Sequence, residues 1–290
     1  MTGSRARSGD LAYMSAAMGR PFLKMNGLGN DFVVVETRSQ PFSPTAEEVR
    51  AIADRAGGVG CDQLIAIEPA AGADVRARFW NADGEEVAAC GNGTRCVGWL
   101  IMQAAGKDEA VIETKAGRLR AERAGERLVS VDMGEPRLAW DEIPLAAPQD
   151  TRALDVALYD HPALKAPPGC VSMGNPHVVF FVDEVASAPL REAGRAIERH
   201  PLFPERVNVG FAEIEDRNTI RLRVWERGAG LTLACGTGAC AALVAAARRD
   251  LAERTATVLV DGGELLIDWR ADNHVIMTGP TAVDFAGELP

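Results

Sequence analysis

Two cysteines in this chain stand at the mouths of matching Gly-rich turns. Trp80-Asn-Ala-Asp-Gly-Glu-Glu-Val-Ala-Ala-Cys90-Gly-Asn-Gly-Thr-Arg-Cys96 and Trp225-Glu-Arg-Gly-Ala-Gly-Leu-Thr-Leu-Ala-Cys235-Gly-Thr-Gly-Ala-Cys240 have the same Trp-to-Cys spacing, and a small-residue, helix-like run follows each. A cysteine just before a helix meets unpaired backbone N–H groups and the positive end of the helix dipole. That setting favours a thiolate, which makes Cys90 and Cys235 candidate proton-transfer groups near neutral pH. The N–H groups of Gly91-Asn92-Gly93 and Gly236-Thr237-Gly238 can at the same time receive a carboxylate. A carbon held by its carboxylate between two such sulfurs would lose a proton to one and gain a proton from the other on the opposite face. That inverts a stereocentre. Thiols suit the task better than carboxylates because their ordinary pKa lies closer to neutrality, so one can start charged and the other protonated.

A lone cysteine at a helix start reads most simply as a small buried hydrophobe; here the whole turn is doubled. The shift of 145 residues (235 − 90) recurs along the chain, laying Asn30 over Asn175, Gln63 over Asn208, Asn81 over Glu226, Asn92 over Thr237 and Gly117 over Gly262. A constant shift across separated polar and glycine positions marks an internal duplication. The expected architecture is two halves of one plan, with the cysteine turns facing each other across the cleft between them. Cys96 and Cys240 lie deeper in their helices, where a rotation of about 100° per residue turns them away from the first turn, so they read as core. Their spacing from Cys90 and Cys235 is a poor match to zinc ligation, and no metal is expected. Walker and Rossmann spacings are absent.

The elements that must carry these turns follow from the patterning. Phe22 onward reads as a strand, a Gly-rich turn and a β-branched strand opening at Asn30; Thr45 starts a helix; Gly58-Val-Gly-Cys61-Asp-Gln63 turns into a strand from Leu64. Val75–Trp80 alternates as a strand with two different faces and delivers the Asn81-Ala-Asp-Gly turn. A helix is expected from Thr94 to Ala105, capped by Gly106, and strands follow at 110–114, 119–122 and 128–132. A Pro-rich interval from Pro136 to Pro168 leads to the second copy, whose helix of almost unbroken alanine reads as buried on every side. Each half is thus expected to wrap a sheet around a central helix.

Composition narrows the function further. With 31 basic and 41 acidic side chains the net charge is −10, which argues against a nucleic-acid binder. No apolar run approaches the roughly 18 residues of a membrane span. The first 20 residues lack the apolar core of a secretory signal and read as an extension. Six cysteines in a chain of this size, without an export signal, fit a reducing cytoplasm.

The segments Gly-Leu-Gly-Asn30-Asp-Phe, Gly-Cys-Asp-Gln63, Asn81-Ala-Asp-Gly, Ala-Cys90-Gly-Asn-Gly, Gly-Asn175-Pro-His177, Val-Asn208-Val-Gly, Glu226-Arg227-Gly-Ala-Gly and Ala-Cys235-Gly-Thr-Gly-Ala-Cys resemble the diaminopimelate epimerase family, in the family's order from Phe22 to the C-terminus. The resemblance implies an α+β fold of two pseudo-symmetric halves: 21–134 with 280–290 returning to it, and 135–279. It implies a cofactor-free isomerase acting on LL- and meso-diaminopimelate for lysine and cell-wall synthesis, binding a small molecule rather than nucleic acid or membrane, with a homodimer one assembly open to it. By the same resemblance Cys90 and Cys235 are the acid/base pair, and Gly91, Asn92, Gly236 and Thr237 hold the reacting carboxylate. Asn30 and Gln63 line the pocket, and Asn81, Asn175, Asn208, Glu226 and Arg227 read the distal end, while His177 and Glu226 tune the thiols. Asn26, Leu231 and Leu233 depart from the family's usual residues. Proline and hydroxyproline racemases share the fold, so Arg227 and its asparagines carry the choice of substrate. A thiol redox or amino-acid-binding protein is the alternative from another class.

Overall fold

The computed structural model describes residues 19–289. The expected extension over residues 1–20 lies outside the described residues except for Gly19 and Arg20, and Arg20 already opens a strand. The elements run β1 (Arg20–Gly27), β2 (Asn30–Glu36), α1 (Ala46–Ala53), β3 (Gln63–Glu68), β4 (Val75–Asn81), β5 (Glu86–Val87), α2 (Gly91–Ala105), β6 (Glu109–Thr114), β7 (Gly117–Arg123) and β8 (Leu128–Asp132). Next come β9 (Gly169–Ser172), β10 (Pro176–Phe181), α3 (Leu190–Glu198), β11 (Asn208–Asp216), β12 (Thr219–Glu226) and β13 (Gly230–Thr232). The chain closes with α4 (Gly236–Ala247), β14 (Thr255–Val260), β15 (Gly263–Trp269), β16 (Val275–Pro280) and β17 (Ala282–Leu289). The fold is α+β, with many strands and four α-helices among the described residues.

The contacts divide the chain into two compact units. The N-terminal unit holds the described residues up to Gly27, Asp31–Val129 and those from Pro280 on; the C-terminal unit holds Leu28–Asn30 and Ser130–Gly279. In the N-terminal unit β2 runs parallel to β3, β3 antiparallel to β4, and β4 pairs with both β5 and, in parallel, β6, which turns back into β7. β17 lies antiparallel to β1, so the end of the chain completes the sheet its beginning started. The C-terminal unit repeats the plan: β10 parallel to β11, β11 antiparallel to β12, β12 pairing with β13 and, in parallel, β14, and β14 turning into β15.

The duplication is visible down to strand register. Phe32 pairs with Gln63 and His177 with Asn208, so both partners move by 145 (177 − 32 and 208 − 63). Trp80 with Glu86 and Trp225 with Leu231 keep the same shift. One expected correspondence needs correction: Gly117 matches Gly263, not Gly262. The hairpin pairs are Thr114 with Gly117 and Val260 with Gly263, a shift of 146 (263 − 117), and both glycines take positive φ, at 129° and 138°. The second copy has one net residue more than the first between the start of its helix and its hairpin. A spacing count carried straight through that connection misses it.

Each unit packs its sheet on one small-residue helix. α2 lies against β1, β6 and β7, and α4 against β9 to β12, β14 and β15. Nearly every residue of α4 is buried, as expected for a helix with no polar face. Gly98, in the middle of α2, would ordinarily weaken a helix by about 1 kcal/mol relative to alanine. Its place here is set by close approach, because a Cβ would stand 2.6 Å from the Ala121 Cβ of β7. Gly106 ends α2 in the left-handed conformation at φ 62°, its N–H donating to the Met102 carbonyl. The Pro-rich interval is not a bare connection: Ile143, Leu145, Leu154, Leu158 and Leu164 join β10, β11 and α3 in a core of their own.

Candidate functional site

Both candidate cysteines are helix N-caps. Cys90 and Cys235 have extended backbones, at φ −140° and −119°, and the residues that follow them enter α2 and α4 directly. The first helix therefore starts at Gly91, one turn earlier than the sequence suggests, because the Gly-Asn-Gly run is itself helical. In the N-terminal unit the Gly93 N–H donates to Cys90 Sγ at 3.4 Å, and the Cys90 carbonyl receives both the N–H and the hydroxyl of Thr94 at 2.8 Å. The helix start seats on the sheet at Gly93, where a Cβ would come within 2.9 Å of Ile65 and Phe79. Gly91 and Asn92 are buried behind the thiol, and Asn92 Oδ1 accepts from the guanidinium of Arg95 at 2.9 Å. Gln63 and Asn81 face each other across β3 and β4, with Gln63 Nε2 donating to Asn81 Oδ1 at 2.8 Å. Gln63 Oε1 is buried, and no hydrogen-bond partner meets it among the described residues.

The C-terminal unit gathers the larger set. Cys235 is buried, and Thr237 Oγ1 lies 3.7 Å from its sulfur. That hydroxyl is also 3.1 Å from His177 Nε2 and accepts from Asn175 Nδ2 at 3.2 Å, while Asn175 Oδ1 is 3.1 Å from the same imidazole nitrogen. With the amide in this orientation, a proton on His177 Nε2 meets the Asn175 carbonyl, and the Thr237 hydroxyl is left to donate to sulfur. Burial, reinforced by the charge of Arg227, pushes the His177 pKa down to about 3, so the ring is neutral at physiological pH.

Cys235 itself departs from the expectation of a stabilised thiolate. Burial pushes its pKa well up, the Glu226 carboxylate beside it pushes the same way, and the Thr237 hydroxyl opposes them only in part. With burial and that charge both raising its pKa, Cys235 is held as a thiol. Cys96, inside α2, is likewise pushed up, by burial, to about 12, in keeping with its reading as core.

Two further residues, missed in the sequence, hold this loop in place. Glu198 at the end of α3 is buried and accepts from the Trp225 indole at 2.8 Å and from the Gly228 N–H at 3.2 Å. Its carboxylate thus grips both sides of Glu226-Arg227. Thr232 donates to Glu226 Oε1 at 2.5 Å. A helix-end glutamate and a strand threonine carry no distinguishing spacing; the one available signal is that Thr232 is a polar residue between Leu231 and Leu233. Asn208 uses both ends of its amide on the backbone, donating to the Pro176 carbonyl at 3.0 Å and accepting the Arg227 N–H at 2.9 Å. The Arg227 side chain is exposed and reaches the Glu205 carbonyl at 2.7 Å. Asn30 opens β2, belongs by its contacts to the C-terminal unit, and follows Gly29, where a Cβ would meet Leu233 at 3.1 Å. Among the described residues no three His, Cys, Asp or Glu side chains converge as metal ligands, and no helix is long and apolar enough to cross a membrane.

A family model described as diaminopimelate epimerase matches residues 22–139 and 169–283. The chain is 78% identical over 277 residues to diaminopimelate epimerase of Phenylobacterium zucineum (strain HLK1), covering 96% of this chain and 100% of that one. It is 61% identical over 285 residues to diaminopimelate epimerase of Caulobacter sp. (strain K31), covering 94% and 98%. Among solved structures, a hydroxyproline epimerase from Agrobacterium vitis aligns with a TM-score of 0.67 at 15% identity, over 93% of this chain and 92% of that one. At that identity the likeness speaks for the fold alone.

Proposed function

The chain belongs to the diaminopimelate epimerase family of amino-acid epimerases, and we propose that it interconverts LL- and meso-2,6-diaminopimelate by two-base proton transfer between Cys90 and Cys235. The reaction in this reading uses no cofactor and serves lysine and peptidoglycan precursor synthesis in the cytoplasm. The observation that supports it most is the doubled helix-capping cysteine, each thiol at the entry to a helix whose first turn is Gly-rich.

The step balances on the two sulfurs. A Cys90 thiolate takes the α-proton, breaking C–H and making S–H; the Cys235 S–H then breaks and a new C–H forms on the other face of the carbon. Burial and the neighbouring carboxylate keep Cys235 protonated, so it carries the proton that this step needs. Gly91, Asn92, Gly236 and Thr237 hold the reacting carboxylate. His177, neutral and tied to Thr237, and Glu226 tune Cys235. Asn30 and Gln63 line the pocket, where the orphaned Gln63 Oε1 suits an ammonium donor. Asn81, Asn175, Asn208, Glu226 and Arg227 read the distal amino-acid end.

The test is proton NMR of the reduced protein with LL-diaminopimelate in D2O, with a chiral readout and proline as a parallel substrate. Loss of the α-proton signal together with meso product is the expected result. Exchange on proline alone would move the assignment to a racemase of the same fold, and silence on both would favour a binding or redox protein.

A further inference from the structure

We propose that Thr232 is a positioning residue that sets the protonation of Cys235 by holding the Glu226 carboxylate against the segment that carries the thiol; this rests on the reading of Cys235 as one of two proton-transfer groups. β12 and β13 pair Val224 with Thr232 and Glu226 with Gly230. The residue directly opposite Glu226 is thus a glycine with no side chain to offer. Its diagonal neighbour, Thr232, is the group on that face within reach of the carboxylate. The hydroxyl takes Glu226 Oε1 at 2.5 Å.

Position along the chain gives that bond its consequence. Thr232 ends β13, and Leu233, Ala234 and Cys235 follow as the entry to α4, so the donor and the thiol ride on one short stretch of backbone in which only Leu233 is exposed. Pinning Glu226 to Thr232 therefore fixes the carboxylate in register with the sulfur three residues on. The Glu226 carboxylate lies close enough to Cys235 for its charge to raise the thiol's pKa. Without the hydroxyl, Glu226 Oε1 loses the donor that fixes its orientation, and a charge displaced toward water acts less on a buried thiol. The flanking Leu231 and Leu233 offer no substitute donor from their side chains.

The experiment compares full-length wild type with Thr232→Val, which keeps the shape and removes the hydroxyl, and Thr232→Ser, which keeps the hydroxyl. The rate of Cys235 alkylation by iodoacetamide is followed against pH by peptide mass spectrometry, alongside kcat and KM on diaminopimelate. Thr232→Val is expected to move the Cys235 midpoint down by about 1 pH unit and to lower kcat about tenfold, with a rise in KM where Glu226 also meets the substrate. Thr232→Ser should track wild type in both. An unmoved or raised midpoint in Thr232→Val, or an equal shift in Thr232→Ser, overturns the proposal. The alkylation arm reads Cys235 directly: absence of α-proton exchange in the wild type would sink the epimerase reading without touching the Thr232 result.

Discussion

Asp31 and Asp62 exchange hydrogen bonds across the parallel strands β2 and β3: the Asp31 N–H donates to Asp62 Oδ2 at 3.0 Å, and the Asp62 N–H to Asp31 Oδ1 at 2.9 Å. Each aspartate directly follows or precedes a proposed pocket residue, Asn30 in one case and Gln63 in the other. Lys24 Nζ reaches Asp31 at 2.6 Å, and Arg55 grips both oxygens of Asp31 and one of Asp62. The segments that carry Asp31 and Asp62 are therefore registered to each other by a compact ionic cluster.

That cluster carries an acid-dependent share of stability. Burial alone would raise the Asp31 pKa, but hydrogen bonds from Arg55, Lys24 and the Asp62 N–H hold it well below the usual carboxylate range. A depressed folded-state pKa contributes stability that is fully present above the unfolded value near 4 and is lost as pH falls below it. Asp31→Ala also takes the carboxylate from Lys24, whose side chain is only 8% exposed and keeps the Gly60 carbonyl. We expect a loss of about 3 kcal/mol at pH 7 in urea denaturation, with the gap to wild type narrowing below about pH 4. A loss under about 1 kcal/mol would mean that Lys24 and Arg55 find other partners.

His177 gives the complementary titration. Its folded pKa, lowered to about 3 by burial and Arg227, lies below the ordinary 6.5 of the unfolded chain. Between those values the unfolded state binds the extra proton, so this residue adds a rise of stability with pH across that window. His177→Gln should flatten the slope. In nitrogen-resolved NMR the His177 ring should stay neutral from pH 8 down to 5, whereas His274, raised by its hydrogen bond to Asp132, should protonate above 6.5. A His177 ring that titrates near 6.5 would contradict its burial.

Arg227→Ala separates substrate reading from thiol chemistry. The exposed side chain makes one backbone hydrogen bond, to the Glu205 carbonyl, so its loss should cost little stability. Hydrogen bonds to charged groups of about 1.5–3 kcal/mol correspond to a KM for diaminopimelate raised about 10- to 100-fold. Cys235 alkylation should change far less. An unchanged KM would remove Arg227 from the distal contacts.

The doubled cysteine turn, the 145-residue shift and most strand and helix positions are legible in the chain because they rest on local signals: Gly-rich turns, alternation, a run of alanines. The same signals pick out Cys90 and Cys235 as helix caps and Cys96 and Cys240 as core. Local patterning also explains the misses. One net residue added in the second copy moves the Gly117 partner to Gly263, and a Gly-Asn-Gly run that reads as a turn is the first turn of α2.

The sequence by itself determined that a cysteine-capped, Gly-rich helix start comes twice and which residues are candidates for the chemistry. Only the tertiary structure decided their state and their supports: that Cys235 is a thiol, that His177 is neutral, that Glu198 grips the Glu226-Arg227 loop and that Thr232 holds Glu226. The reason is physical. Helix-dipole and spacing arguments depend on neighbours a few residues away, whereas desolvation and the field of a carboxylate depend on what packs around a group from distant parts of the chain.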